Sequence, residues 1–264
     1  MEQCLVLRLA GPLQSWGGPS KFASRRTKLE PTKSGIVGLL AAADGRRRSD
    51  DIEDLLRIQI AVRTDQPGSI MVDYHTVSNL SGSALPTVLM DKKGFQKLRT
   101  PDGKTLITHR FYLQDAIFVV ALRADSSMLL GLREALLNPY FPLALGRRSC
   151  PPTLPLILDP IDFNKGVSAN DNLLWDTDLL STLKLIPWQA SESYRRNFDL
   201  NAESVNVLVT YDNTEGTEIN NDVPTSFAPE SKTFRTRRVS RTFVDIPVER
   251  SQLVSEHNPY DLLN

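Results

Sequence analysis

Leu5, Leu7 and Leu9 alternate with Val6 and Arg8 near the start of the chain, the period-two pattern of a strand over residues 4–9. Gly11-Pro12 marks a turn, and the glycine-rich run Leu13-Gln14-Ser15-Trp16-Gly17-Gly18-Pro19 reads as a loop. Pro31-Thr32-Lys33-Ser34 opens a helix with Thr32 or Ser34 as N-cap. Ile36, Val37, Leu39, Leu40 and Ala43 follow at helical spacing, with Gly45 as the stop. A short helix over 52–56 precedes a second strand carrying Ile58, Ile60 and Val62. Periodicity then fades from residue 66 to residue 109, where glycines, prolines and the cations Lys92, Lys93, Lys97, Arg99 and Lys104 are scattered. Turn chemistry at Asp102-Gly103 predicts an extended hairpin arm there. One strand is expected over 111–122, then a helix over 127–137 capped by Ser126 and ended by Pro139. The order β-α-(α)-β-arm-β-α fits an α+β, ferredoxin-like sheet with an insertion.

The C-terminal part is patterned differently. Residues 154–158 form a short extended stretch and 205–211 alternate as a strand. Residues 212–222, rich in Asn, Asp, Thr and Glu, read as a solvated loop. Residues 233–248 carry Arg235, Arg237, Arg238 and Arg241 among Phe234, Val239, Phe243 and Val244, a basic strand or hairpin.

Composition narrows the class. Of 264 residues, 41% are hydrophobic and 23% charged, which is a folded globular chain. No apolar run approaches the roughly 20 residues of a membrane span and no signal peptide is visible, so a soluble, cytoplasmic protein is expected. Cys4 sits in an apolar run as a core residue, and Cys4 and Cys150 make neither a disulfide framework nor a zinc motif. His75, His109 and His257 are far apart, so no metal and no cofactor is expected. Formal net charge is zero, yet residues 159–230 hold thirteen acidic and four basic side chains, leaving 27 basic against 18 acidic elsewhere. Because charge acts locally, within a Debye length of ~10 Å, this split leaves room for an anionic partner.

Catalysis finds little support. No pattern places metal-holding carboxylates on one element, and no Gly-Lys-Ser/Thr follows a strand. Tyr74, His75, His109, Arg110 and Tyr112 flank the arm and offer either a metal-free ribonuclease site or ordinary packing at its root. Binding groups are more numerous. Lys33 and Ser34 stand at a helix N-terminus, a natural phosphate seat. Arg147, Arg148 and Ser149 lie on a loop stiffened by Pro151 and Pro152, where guanidiniums hold phosphates or stack on bases. Lys92, Lys93 and Arg99 on the arm are suited to a nucleic-acid backbone.

These blocks jointly resemble a known family. Leu7-Arg8-Leu9-Ala10-Gly11-Pro12-Leu13-Gln14-Ser15-Trp16-Gly17 is similar to the opening of CasD proteins, and 31–40 to their first helix. Asp73-Tyr74-His75-Thr76-Val77 and Arg110-x-Tyr112-Leu113-x-Asp115-Ala116 resemble the entry to and exit from their thumb. Leu145-Gly146-Arg147-Arg148-Ser149-Cys150-Pro151 resembles their handle-binding loop. The resemblance spans about residues 5 to 158. It implies a modified RRM or ferredoxin-like palm over 1–158, with a β-hairpin thumb at about 66–112. Residues 159–264 would then be an acidic insert and closing basic strand packed on the same domain. It further implies a non-catalytic subunit of a type I-E CRISPR surveillance complex in antiviral defence. The subunit would bind the 5′ handle of the crRNA beside the CasC backbone and large CasA subunits. Gln14, Ser15, Trp16, Gly17, Lys33, Ser34, Tyr74, His75, His109, Arg110, Arg147, Arg148 and Ser149 would line the RNA site. Lys92, Lys93 and Arg99 would touch guide or target DNA strand. The alternative is a metal-independent endoribonuclease that processes repeat RNA.

Overall fold

Strand β1 (Glu2–Ala10) is buried on both faces: Leu5, Leu7 and Leu9 enter one core, Cys4 and Val6 a second. A strand of that kind must be covered on both sides, and the rest of the chain supplies the two covers. The computed structural model describes residues 2–18, 23–77, 88–90, 96–98, 106–163, 173–198, 202–228 and 233–248. Past β1 come the short strands β2 (Leu13–Gln14), β3 (Trp16–Gly17), β4 (Ser24–Arg25) and β5 (Thr27–Lys28). Helix α1 (Lys33–Ala43) and the single turn α2 (Glu53–Leu56) follow. Thr32 caps α1, its Oγ1 accepting the Gly35 N–H at 3.2 Å.

Next are β6 (Gln59–Gln66), β7 (Ser69–Val77), β8 (Val88–Met90), β9 (Gln96–Leu98), β10 (Leu106–Gln114), β11 (Ile117–Asp125) and helix α3 (Ser126–Leu137). The N-cap of α3 is Asp125 rather than Ser126: its carboxylate accepts the Ser127 N–H at 3.1 Å. The strand expected over 111–122 is two strands. Asp115, at φ 56°, turns the chain between β10 and β11, and its N–H donates to Pro12 O at 3.1 Å. Aspartate tolerates that left-handed conformation better than most residues, so one apolar run feeds two separate sheets.

Helices α4 (Leu179–Leu185) and α5 (Glu192–Arg195), then strands β12 (Ser204–Asp212), β13 (Glu218–Pro224) and β14 (Phe234–Pro247), complete the described chain. The main sheet runs β1-β11-β6-β12-β14-β13. Residues 156–158 lie along the outer edge of β1, with an antiparallel bridge Leu7↔Ile157 and the Leu158 N–H on Val6 O at 3.0 Å. Edge segment, β1, β11 and β6 thus reproduce the all-antiparallel order of a ferredoxin-like or RRM-like palm. β12, β14 and β13 extend it. On one face α1 and α3 cover Leu5, Leu7, Leu9, Phe118, Val120 and Leu122. On the other, Trp175, Leu183, Ile186 and Trp188 cover Val6, Ala61, Val119 and Val244.

The second cover is pegged by a charge. Arg63 on β6 is fully buried and forks onto Asp65, with N–O distances of 2.6 and 2.7 Å. Its remaining donors reach the carbonyls of Leu183, Ile186 and Pro187. A guanidinium is tolerated there because its carboxylate partner and these carbonyls meet its donors.

The run 212–222 departs from a solvated loop. Asp212 ends β12, Asp222 lies in β13, and both carboxylates turn inward onto Arg237 of β14. The basic strand is largely neutralised in this way, since Arg241 pairs with Glu30 and Glu218, and Arg235 with Glu53.

Candidate nucleic-acid interface

Three of the sequence blocks converge, and most of their residues are framework. Gln14 is fully buried. Its Nε2 donates to Leu9 O at 3.0 Å and Ala116 O at 2.7 Å, and its Oε1 accepts the Trp16 indole N–H at 3.0 Å. Trp16 is also fully buried and lies on Gly35, where a Cβ would stand 2.7 Å from the ring. Ser15 Oγ donates to Phe111 O at 3.1 Å, and the Ser15 N–H to Leu145 O at 3.0 Å. Gly146, at φ 88°, backs onto this segment so closely that a Cβ would fall 1.9 Å from Ser15 O. Only glycine meets both demands. The expectation that the Gln14 and Trp16 side chains line a groove is therefore corrected: they lock the block beneath it. Gly17 is exposed with open space around it.

Lys33 and Ser34 are corrected for a related reason. The Lys33 ammonium, nearly buried, donates to Ile58 O at 2.8 Å and Asp212 at 3.1 Å. The first N–H of α1 is taken by Asp222 Oδ2 at 2.8 Å, and Ser34 Oγ contacts Thr32 Oγ1 at 3.2 Å. A carboxylate of the chain itself takes the first N–H of this helix and the Thr32 hydroxyl the third.

Cations gather on the surface above that framework. Arg147 lies over the Tyr112 ring, 4.8 Å from its centroid, and donates to Arg25 O at 2.7 Å and Phe111 O at 3.3 Å. Arg148 and Ser149 are exposed, with Ser149 Oγ 3.5 Å from the Tyr112 hydroxyl. β4 runs parallel to β10 with Arg25 beside Arg110, which brings Arg26 and Lys28 to the same region, both exposed. Among the described residues none of Arg25, Arg26, Lys28, Arg110, Arg147 and Arg148 is in an ion pair, unlike Arg235, Arg237 and Arg241 of β14. Arg110 Nε and Thr108 Oγ1 are shielded from water and have no hydrogen-bond partner among the described residues. Such groups call for an acceptor or donor from elsewhere.

β7 and β10 form a ribbon paired from Leu106↔Val77 to Gln114↔Ser69. Side chains alternate across a ribbon, and this separates the two histidines. Tyr74 and His109 face each other on one side, ring centroids 5.5 Å apart. His75 lies on the other, held by the Asp73 carboxylate, with Arg110 opposite Asp73 and Thr108 opposite His75. Tyr74, His75, His109 and Arg110 therefore do not form one catalytic cluster. Among the described residues no group of His, Cys, Asp and Glu is arranged to hold a metal ion, and no helix is long and apolar enough to cross a membrane. Lys92, Lys93, Arg99 and the turn at Asp102-Gly103 lie outside the described residues.

The profile of the family described as CRISPR-associated protein (Cas_Cas5) matches residues 4–240. The chain belongs to this family, that of the CasD subunits of Cascade. It is 40% identical over 164 residues to "CRISPR system Cascade subunit CasD" of Escherichia coli (strain K12), a match covering 60% of this chain and 71% of that protein. A solved structure titled "CRISPR RNA-guided surveillance complex" contains a chain 31% identical, with a TM-score of 0.67 over 92% of this chain and 91% of that one. A second, titled "Crystal structure of Cas protein", is 32% identical with a TM-score of 0.62, covering 94% and 96%. Family membership extends past residue 158, where the sequence blocks stop, through β12 and β13 into β14.

Sequence reading missed Arg25, Arg26 and Lys28. The signal was the basic cluster Ser24-Arg25-Arg26-Thr27-Lys28, but its relevance depends on β4 joining β10, a pairing that nothing local announces.

Proposed function

We propose that this chain is a non-cutting, RNA-binding Cascade subunit that seats the 5′ handle of the crRNA. The cations Arg25, Arg26, Lys28, Arg110, Arg147 and Arg148 around Tyr112 carry the reading: among the described residues none of them is in an ion pair, and a surface with that charge suits a phosphate backbone. Arg148 and Ser149 contact phosphates directly. Arg147, held by two backbone carbonyls, orients the loop and lends its charge. The shielded donors of the half-buried Arg110 and the buried Thr108 are completed by the RNA. The β7–β10 ribbon is the root of a thumb whose Lys92, Lys93 and Arg99 reach the guide and the target DNA strand. CasC and CasA are the neighbouring subunits.

The test is incubation of the purified chain with labelled repeat RNA in EDTA, run on native and denaturing gels in parallel. A shifted, intact RNA is expected. Arg148→Ala should weaken the shift about 10- to 100-fold, the scale of one charge-assisted contact at ~1.5–3 kcal/mol. Discrete cleavage products that vanish in His75→Ala or His109→Ala would replace this reading with the processing nuclease.

A further inference from the structure

Asp73 of β7 stands directly opposite Arg110 of β10. Opposite charges in such a cross-strand pair have Cβ atoms about 5 Å apart and attract each other. Here they do not join. The Asp73 carboxylate accepts from His75 Nε2, two residues along its own strand, and among the described residues Arg110 is in no ion pair. Arg110 Nε is shielded from water and has no acceptor. The ribbon thus leaves unused an ion pair that its own register makes available.

Side chains alternate in direction along a strand, so the pairs Met71–Tyr112, Asp73–Arg110 and His75–Thr108 share one face of the ribbon. Arg147 lies over the Tyr112 ring, and across β10 from Asp73 the neighbour of Arg110 is Arg25 of β4. Arg110 therefore stands between a carboxylate on one strand and the cations of the RNA surface on the other. Which of the two it serves depends on where the Asp73 carboxylate points. The Asp73 and His75 side chains are 39 and 37% exposed, so surrounding packing does little to hold that carboxylate. Among the described residues the imidazole is its hydrogen-bond partner.

We infer that His75 is a positioning residue: it holds the Asp73 carboxylate off Arg110 and so keeps that guanidinium free for the phosphate backbone of RNA. Without the imidazole, Asp73 turns to Arg110 and competes with the RNA for it. This role for His75 rests on the handle-binding reading, and the experiment separates the two.

The experiment is a set of mutant cycles on the full chain with labelled repeat RNA, read by filter binding. His75→Ala should weaken binding about two- to fivefold, the range of one exposed ion pair formed in competition. His75→Gln, whose amide still donates to Asp73, should bind like the parent. Asp73→Ala should restore binding in the His75→Ala background and raise it less in the parent. A carboxylate acting by charge alone would give the same gain in both backgrounds, so the departure from additivity isolates the Asp73–His75 contact. In an Arg110→Ala background, His75→Ala should have no further effect, whereas an imidazole touching the RNA itself would still lower affinity when removed. Without RNA, the Arg110 Nε–H signal of the 15N-labelled chain, assigned by its absence in Arg110→Ala, should move in His75→Ala. It should return when Asp73→Ala is added. A parent chain that binds no repeat RNA would sink the handle reading and the RNA role of His75 together. RNA binding that is intact but shows equal gains from Asp73→Ala, or a His75→Ala loss that persists without Arg110, would overturn the positioning role alone. So would an Arg110 signal that stays in place.

Discussion

Gln14, Lys33 and Arg63 are buried polar side chains tied to named partners, and Cys4 follows the same logic. The Cys4 thiol is fully buried under Trp175 and donates to Thr177 O at 3.2 Å. Burial pushes its pKa up to about 11, only partly offset by its hydrogen bond with Thr182. In the native protein Cys4 should resist iodoacetamide at pH 8, while the unfolded chain reacts readily; mass spectrometry of the alkylated peptide reads the difference. A raised folded-state pKa also means that the unfolded chain loses this proton first as pH rises. The stabilising contribution is therefore complete below pH 9 and is lost toward pH 11. Melting points compared across that range should fall more steeply in the parent than in Cys4→Ala.

At the level of elements, charge holds the palm to its extension. Lys33 of α1, Asp212 of β12, Asp222 of β13 and Arg237 of β14 form one network with side chains 8 to 14% exposed. Asp222→Ala would leave Arg237 and the first N–H of α1 short of an acceptor. It should cost about 3 kcal/mol, as for breaking a buried pair, in a urea melt. Arg235→Ala, which removes the exposed pair with Glu53, should cost no more than ~1 kcal/mol. Gly146→Ala attacks a different junction. Its Cβ would collide with Ser15 O at a backbone angle that L side chains resist. A local penalty of about 1–3 kcal/mol should displace Arg147 and Arg148 and weaken RNA binding even though no charge is removed, as a native gel would report.

The whole molecule carries zero formal net charge, and that figure conceals how the charges are arranged. Carboxylates pair with Arg235, Arg237 and Arg241 of β14, whereas among the described residues the cations beside Tyr112 are in no ion pair. RNA affinity should therefore fall steeply with salt despite the neutral total, with a log–log slope of about −0.7 per phosphate contacted. Arg148→Ala should make that slope shallower by about one contact, whereas Arg235→Ala should leave it unchanged. Filter binding across a salt series checks both.

Periodicity alone marked most elements of the palm: the strand ending at Leu9, the helix behind Thr32, the strand at Ile60 and the helix ending near Leu137 are all local patterns. The blocks around Trp16, Ser34 and Arg147 marked the family, and they stood out because close packing demands particular residues there. What each residue in those blocks does was decided only by tertiary contact. Gln14, Trp16 and Lys33 carry the same polar groups as a binding residue, and only long-range partners such as Ala116, Gly35 and Asp212 turn them inward. The split at Asp115, the opposite faces of His75 and His109, and the pairing of β4 with β10 depend on register, which no local pattern encodes. Residues 159–230 read as acidic, and 212–222 as a solvated loop, because composition reports charge and not its partner. Folded, they complete the sheet and cover its second face, since β1 is apolar on both sides and required it.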